Sequence, residues 1–245
     1  MKVDAGIQRH LLDLADADAE LARLDHRRTH LPEDAEIAEL DQRIESARDD
    51  LVRAEISAED LTREYRRIDS EVTGMASREA KDSAQLTAGG LAPKALSELQ
   101  HELSGLARRR ASLEDDLLGV MEQQEALTAE QQRAAATIEH LDSEVGSTRE
   151  RRNTALSAIA ADHDAVVARR ESIAAEITPE LLAVYEKQRA TGRIGAGLLR
   201  ARRCGACRME LDRGTIASIA AKPADEVVRC EECGAVLVRT AESGI

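Results

Sequence analysis

Thr87-Ala88-Gly89-Gly90-Leu91-Ala92-Pro93 interrupts two long helical patterns, and its reading decides the fold. Paired glycines accept the left-handed backbone that ends a helix, and a proline suits the first turn of the next one. A chain reversal is expected here. Upstream, apolar residues step by three and four without a slip through Ile37, Leu40, Ile44, Ala47, Leu51, Ala54, Ala58, Leu61, Tyr65, Ile68, Val72 and Met75. That is a heptad seam, which winds a helix left-handedly around a partner. Downstream the seam restarts at Leu96 and keeps phase to Ile173, through Leu103, Leu117, Ile138, Val145, Ile159 and Val166 on one set of positions. Leu99, Leu106, Leu113, Val120, Leu127, Ala134 and Leu141 form the companion set, and polar entries become more frequent from Thr148. Partner and register are therefore expected to be specified best in the half nearer the bend.

The pieces before the bend run about 85 residues and the piece after it about 80, so they can lie antiparallel as a rod of ~120 Å. Pairing a with d positions gives partner numbers that sum to about 178 or about 185. In the first register Leu61 faces Leu117 and Ile44 faces Ala134; in the second they face Gln124 and Leu141. A parallel coiled coil between two chains is the competing arrangement, disfavoured by the short bend and the matched arms. Arg110, Gln124 and Gln131 interrupt the seam and read as devices that fix register. Ile7, Leu11, Leu14, Leu21 and Leu24 mark an earlier amphipathic helix, which Pro32 breaks or kinks. After the rod, Thr178-Pro179 starts a short helix whose Leu181, Leu182 and Tyr185 pack on the rod's base, and Gly192 caps it.

Beyond residue 192 the pattern turns to short extended pieces around the chain's four cysteines. They fall as Cys204-x2-Cys207 and Cys230-x2-Cys233, with twenty-two residues between the pairs. Two such knuckles complete a tetrahedral four-cysteine site, so one structural zinc per chain is expected, coordinatively closed and non-catalytic. Gly205 and Gly234 are expected to supply positive φ in their knuckles. A thioredoxin-type redox motif also reads Cys-x-x-Cys, but it works singly at a strand-to-helix junction within a βαβ pattern. The fold class is thus mainly α: a long antiparallel coiled-coil helical hairpin over 1–176, a connecting helix over 177–192, and a C-terminal β zinc ribbon over 193–245.

Composition bounds the rest. Charged residues are 33% and aromatics 1%, with no Phe or Trp, which suits helix-on-helix seams better than a large interior. The N-terminus MKVDAGIQRH lacks an apolar signal core, and no run approaches the ~18 apolar residues of a membrane span. With reduced, metal-binding cysteines this points to the cytoplasm. Net charge is -13, but residues 1–188 hold 24 Lys/Arg against 40 Asp/Glu, whereas residues 189–240 hold 10 against 6. The six histidines are scattered along the rod at no ligand-like spacing. No nucleophile–base set, carboxylate pair or glycine-rich phosphate loop is recognisable, so neither catalysis nor a small-molecule substrate is expected.

The chain resembles the bacterial C4-type zinc-ribbon family of coiled-coil hairpin proteins. The likeness lies in Pro93-Lys94, in Leu96, Leu99-Gln100, Glu102 and Leu103, and in Leu113-Glu114-Asp115. It continues in Leu181 to Tyr185-Glu186, in Cys204, Cys207, Met209 and Leu211, and in Cys233-Gly234-Ala235-Val236-Leu237. Ala235 stands where many relatives carry arginine. The resemblance implies zinc, a hairpin rod and binding in place of catalysis; some members are linked to RNA and others to protein export machinery.

Two functions follow as expectations. Arg200, Arg202, Arg203, Arg208, Arg213 and Arg229 surround the knuckles and can donate paired hydrogen bonds to phosphates of RNA or DNA. The ribbon has no aromatic residue on which a base could stack. The alternative is a protein–protein adaptor or chaperone-like scaffold that engages a partner along the acidic rod.

Overall fold

The computed structural model describes residues 1–244. The elements are α1 (Ala5–Thr29), α2 (Pro32–Ala88), α3 (Pro93–Ala175), α4 (Pro179–Arg189), β1 (Ala196–Arg200) and β2 (Arg203–Cys204). They continue with α5 (Arg213–Ala220), β3 (Val228–Arg229), β4 (Val236–Val238) and a 3-10 turn at Ala241–Ser243. No helix among the described residues is long and apolar enough to cross a membrane. The chain divides into two compact units. One is Ala35–Glu150; the other combines Met1–Asp34 with the chain from Arg151 onward.

The first unit is the antiparallel hairpin of α2 and α3. Gly89 and Gly90 take φ of +71° and +86°, and Pro93 opens α3, as the bend sequence requires. Its register is the second of the two expected. Leu40 and Ile44 cluster with Leu141 and Val145, and Ile138 packs beside them. Polar seam residues find partners across the same register. Gln124 Nε2 donates to Thr62 Oγ1 at 3.4 Å, and buried Thr148 donates through Oγ1 to Glu36 Oε1 at 3.2 Å. The Arg110 guanidinium lies 3.2 Å from Glu79. The Gln124–Thr62 and Thr148–Glu36 contacts form only when the helices are aligned this way, so they favour this register over a slip by one heptad.

Burial does not follow the apolar content of the seam. Between Leu96 and Leu141 the buried α3 residues are Val120 and Leu141 alone, whereas Val145, Thr148, Ile159 and Val166 are all buried. A two-helix seam leaves many side chains partly open to water. Val145 and Thr148 are buried within the hairpin unit, against Leu40, Ile44 and Glu36. In the other unit α1 covers Ile159 and Val166, so that part of the seam is enclosed despite the polar entries.

In that second unit Ala17, Leu21 and Leu24 of α1, with Leu31 just beyond it, pack on Ile159 and Val166 of the C-terminal part of α3. Pro32 breaks the helical path: α1 ends at Thr29 and proline occupies the first position of α2. α4 brings Leu181 and Tyr185 to Leu11 and Leu14 of α1, and Ala196, Val236 and Val238 of the sheet complete that cluster. Thr178 precedes α4 at the cap position, but its hydroxyl makes no cap bond. The sheet runs β2-β1-β4-β3, with β1 and β4 parallel and the other pairs antiparallel. Because side chains alternate along a strand, the sheet has two working faces. One meets α1 and α4. The other carries Leu199, Val228 and Leu237, packed with Cys204, Cys230 and Ile219 of α5.

Asp18 ties three helices together. It accepts hydrogen bonds from Tyr185 Oη at 2.6 Å and Arg170 Nε at 2.7 Å, and Arg189 Nε lies 3.1 Å away. The Tyr185 hydroxyl is held well above the ordinary phenol range, first by burial and then by the Asp18 carboxylate. The residues before α1 are stitched to the ribbon. Val3 N–H donates to Asp225 O at 2.7 Å and Val227 N–H to Met1 O at 3.0 Å. Buried Gln8 clamps the turn by donating from Nε2 to Val3 O and Ala224 O.

Tyr185→Phe removes one charge-assisted hydrogen bond and is expected to cost about 1–3 kcal/mol. Leu141→Ala empties a buried hairpin site and is expected to cost about 2–5 kcal/mol. Denaturant unfolding followed by circular dichroism checks both. No loss of stability in Leu141→Ala contradicts the register, because Leu141 then has no enclosed partner.

Candidate metal centre and the ribbon surface

The two cysteine knuckles repeat one backbone pattern. In the first, Arg208 N–H donates to Cys204 O at 2.7 Å and Cys204 N–H to Met209 O at 3.0 Å. In the second, Gly234 N–H donates to Cys230 O at 2.9 Å and Cys230 N–H to Ala235 O at 2.8 Å. These bonds fold each Cys-x-x-Cys into a tight loop with both sulfurs on its concave side. All four Sγ atoms lie within 4.8 Å of one another, with Cys204–Cys233 and Cys207–Cys230 each at 3.9 Å. A tetrahedron with metal–sulfur bonds of about 2.3 Å has edges of about 3.8 Å, so the sulfurs fit zinc; a disulfide requires about 2.05 Å. The cage is a structural site for one zinc, with all four positions filled by protein.

Burial sets the proton chemistry of the cage. Cys204 and Cys230 are buried, Cys207 and Cys233 half-buried. Burial pushes the Cys204 thiol up to about 12 and also raises Cys233. At Cys207 burial pulls the same way, but the Met209 backbone N–H and the neighbouring thiols outweigh it, and its thiol sits below the ordinary value. A buried thiol with raised pKa keeps its proton until a cation replaces it, so zinc uptake releases protons.

The glycines act differently from expectation. Gly234 has φ of +83°, as expected, and a Cβ there would also meet Gln188 Oε1 at 2.7 Å. Gly205 is not left-handed. It is glycine because the knuckle lies against β1, where a Cβ would sit 2.7 Å from Leu198 O. The residue matching Gly234 in the first knuckle is Arg208, at φ of +64°. Among the described residues the other two non-glycine residues with positive φ are Ala201 and Arg202, at the turn between β1 and β2. A Cβ in this region costs about 1–2 kcal/mol per residue. The knuckles differ in surroundings: Gln188 of α4 donates to Cys233 O at 2.6 Å and covers the second, whereas Gly205, Arg208 and Met209 of the first are exposed.

The arginines around the cage are in three situations. Arg229 donates from Nε to Gly234 O at 2.8 Å, and Arg239, not among the six arginines expected at phosphates, donates to the carbonyls of Ile219, Lys222, Pro223 and Glu226. Arg202 and Arg203 both contact Glu210, and Arg202 first among them holds that carboxyl below its ordinary range. Arg200 lies 3.7 Å from Glu242. Arg208 and Arg213 have no partner among the described residues.

Sequence reasoning missed α5. Its signal was Asp212, which caps the helix by accepting from Gly214 N–H and Thr215 N–H. It missed Gln188 as well, whose position one turn beyond Tyr185 becomes informative only once α4 is seen to lie on the ribbon.

A family model described as the CT398-like coiled coil hairpin domain matches residues 14–193, and one for the C4-type zinc ribbon domain matches residues 203–237. An uncharacterized protein of Mycobacterium tuberculosis is 42% identical over 239 residues, covering 98% of each chain. One from Mycobacterium leprae is 35% identical, covering 89% of this chain and 94% of the relative. A solved structure from Mycobacterium smegmatis aligns with a TM-score of 0.83 at 41% identity, over 98% of this chain and 100% of the other. CT398 from Chlamydia trachomatis shares the fold at a TM-score of 0.66 and 17% identity, over 96% of this chain and 98% of the other.

Native mass spectrometry is expected to find one zinc per chain and none in the Cys204→Ser/Cys230→Ser variant. Protons compete for the sulfurs, so zinc is released as pH falls. Full zinc retention by the double variant, or release that ignores pH, contradicts the four-thiolate site.

Proposed function

The chain belongs to the CT398-like coiled coil hairpin family and carries a C4-type zinc ribbon, and from that premise we propose a non-enzymatic nucleic-acid-binding protein that contacts phosphates through its first knuckle. The observation that carries this reading is Arg208. Glycine occupies the equivalent position of the second knuckle without strain, yet here an exposed arginine with no internal partner sits at φ of +64°. Strained backbone concentrates where the side chain has work to do. Arg213 supports the reading, because a cation in the first turn of α5 opposes the helix dipole. Arg202, at the strained turn, and Arg203 extend the cationic surface. Their ion pair with Glu210 is exposed, and such pairs are weak enough, at about 0–1 kcal/mol, to exchange for phosphate.

With no aromatic side chain in the ribbon, binding discriminates little between base sequences. Reduced cysteines holding zinc support a cytoplasmic location. A second role, as a protein–protein adaptor, is favoured for the hairpin by acidic helix surface that carries exposed apolar side chains.

Fluorescence anisotropy of labelled RNA and DNA oligomers across a salt series tests the ribbon reading. Affinity is expected to fall steeply with salt, by a slope of about 0.7–0.9 per phosphate contacted. Arg208→Gly is expected to flatten that slope and weaken all sequences alike, while raising unfolding stability by about 1 kcal/mol through relief of strain. Absence of salt-sensitive binding at low ionic strength overturns the reading.

A further inference from the structure

Within the hairpin unit, α3 runs from Ala111 to Gln132 without a single Lys, Arg or His. Over the same 22 residues it carries Glu114, Asp115, Asp116, Glu122, Glu125 and Glu130. Only Glu114 has a cationic partner among the described residues, namely Arg110 at 3.7 Å. Amid these carboxylates two apolar side chains stand in solvent one helical turn apart, Leu118 at 58% and Met121 at 41% exposure. Neither belongs to the seam with α2. Met121 leads into a groove of about 460 Å³ along the hairpin, lined further by Glu125, Thr128, Ala129, Gln132 and Tyr65 of α2.

Leu118, Met121, Glu125, Thr128 and Gln132 recur at three- and four-residue steps, so they share one side of α3 over about 21 Å. In the observed register Arg67 of α2 lies opposite Leu118, but it is already held between Glu64 and Glu71. The face therefore presents one sign of charge, two apolar anchors and a shallow groove.

A second exposed apolar pair shows what is particular here. Val52 and Ile56 of α2 are 51% and 56% exposed. Around them Arg48, Arg53 and Arg63 each pair with an acidic residue of the same helix, so that surface is of mixed sign. It offers no charge complementarity.

The geometry points to the Leu118–Gln132 face of α3 as the docking surface for a basic amphipathic helix of another protein. Such a helix lays its apolar side chains on Leu118, Met121 and Tyr65, and its Lys or Arg residues reach Asp115, Glu122 and Glu125. Helix-in-groove recognition uses anchors at this spacing. Phosphate polymers are repelled by the same carboxylates. A second copy docked face to face would set acidic residues against acidic residues.

The test uses the full-length, zinc-loaded chain and a designed peptide of about four turns with Leu on one face and Lys elsewhere. A control peptide has the same composition with the apolar face scrambled. At about 0.15 M salt, where diffuse attraction is screened, the amphipathic peptide is expected to bind on the order of tenfold more tightly than the scrambled one. Leu118→Ser/Met121→Ser is expected to weaken it by a similar factor, and Val52→Ser/Ile56→Ser to leave it unchanged. All four positions are exposed, and helicity by circular dichroism confirms that both variants fold. Equal binding of the two peptides, or no effect of the Leu118→Ser/Met121→Ser change, overturns the proposal. So does self-association of the wild-type chain that this variant abolishes, which assigns the face to a second copy.

Discussion

Four thiolates converging on one zinc set the condition under which the C-terminal unit can exist. The strands they close are two to five residues long, too short to hold together through backbone pairing alone. Metal binding of the kind seen in small ribbons supplies about 10–16 kcal/mol of apparent free energy, which is folding free energy when the site is absent in the unfolded chain. One face of the closed sheet is then available to Leu11, Leu14, Leu181 and Tyr185. The helical layer of that unit therefore rests on a floor that the metal assembles. Gln188 to Cys233 O, and Met1 and Val3 to the segment just before β3, fasten helices and ribbon at separate points.

The hairpin unit is held differently. Lacking Phe and Trp, it relies on aliphatic side chains, many of which two helices leave partly exposed, and stability is distributed over many small contacts. Its polar seam residues then matter for alignment more than for strength. Thr148 meets Glu36 and Gln124 meets Thr62 in one register and not in its neighbour. The arrangement leaves long stretches of helix surface unburied.

Legibility followed the range of the physical rule involved. Gly89-Gly90 and Pro93 act on their own backbone, and Cys-x-x-Cys spacing acts within one loop, so hairpin and metal cage could be read directly. Register could not, because a heptad repeat is nearly degenerate to shifts of seven. Ile44 chooses Leu141 over Ala134 through partners that lie far away in sequence. The depth of burial beyond Thr148 was hidden for the same reason, since it comes from α1 and α4 arriving over α3. Gly205 was read correctly as necessary and wrongly as left-handed: the approach of Leu198 is a tertiary fact. The arginines were visible as a cluster, but which were engaged with carbonyls and which stood free depended on packing. Asp18 offered no signal at all until Tyr185, Arg170 and Arg189 converged on it.

Hydrogen–deuterium exchange before and after zinc removal by a chelator addresses the metal-assembled floor most directly. The account predicts that protection is lost in β1, β3 and β4, in α4 and in the first turns of α1, while amides in residues 35–150 exchange as before. Retained protection in β1 and β4 without zinc would contradict it, as would a loss spread evenly through the hairpin.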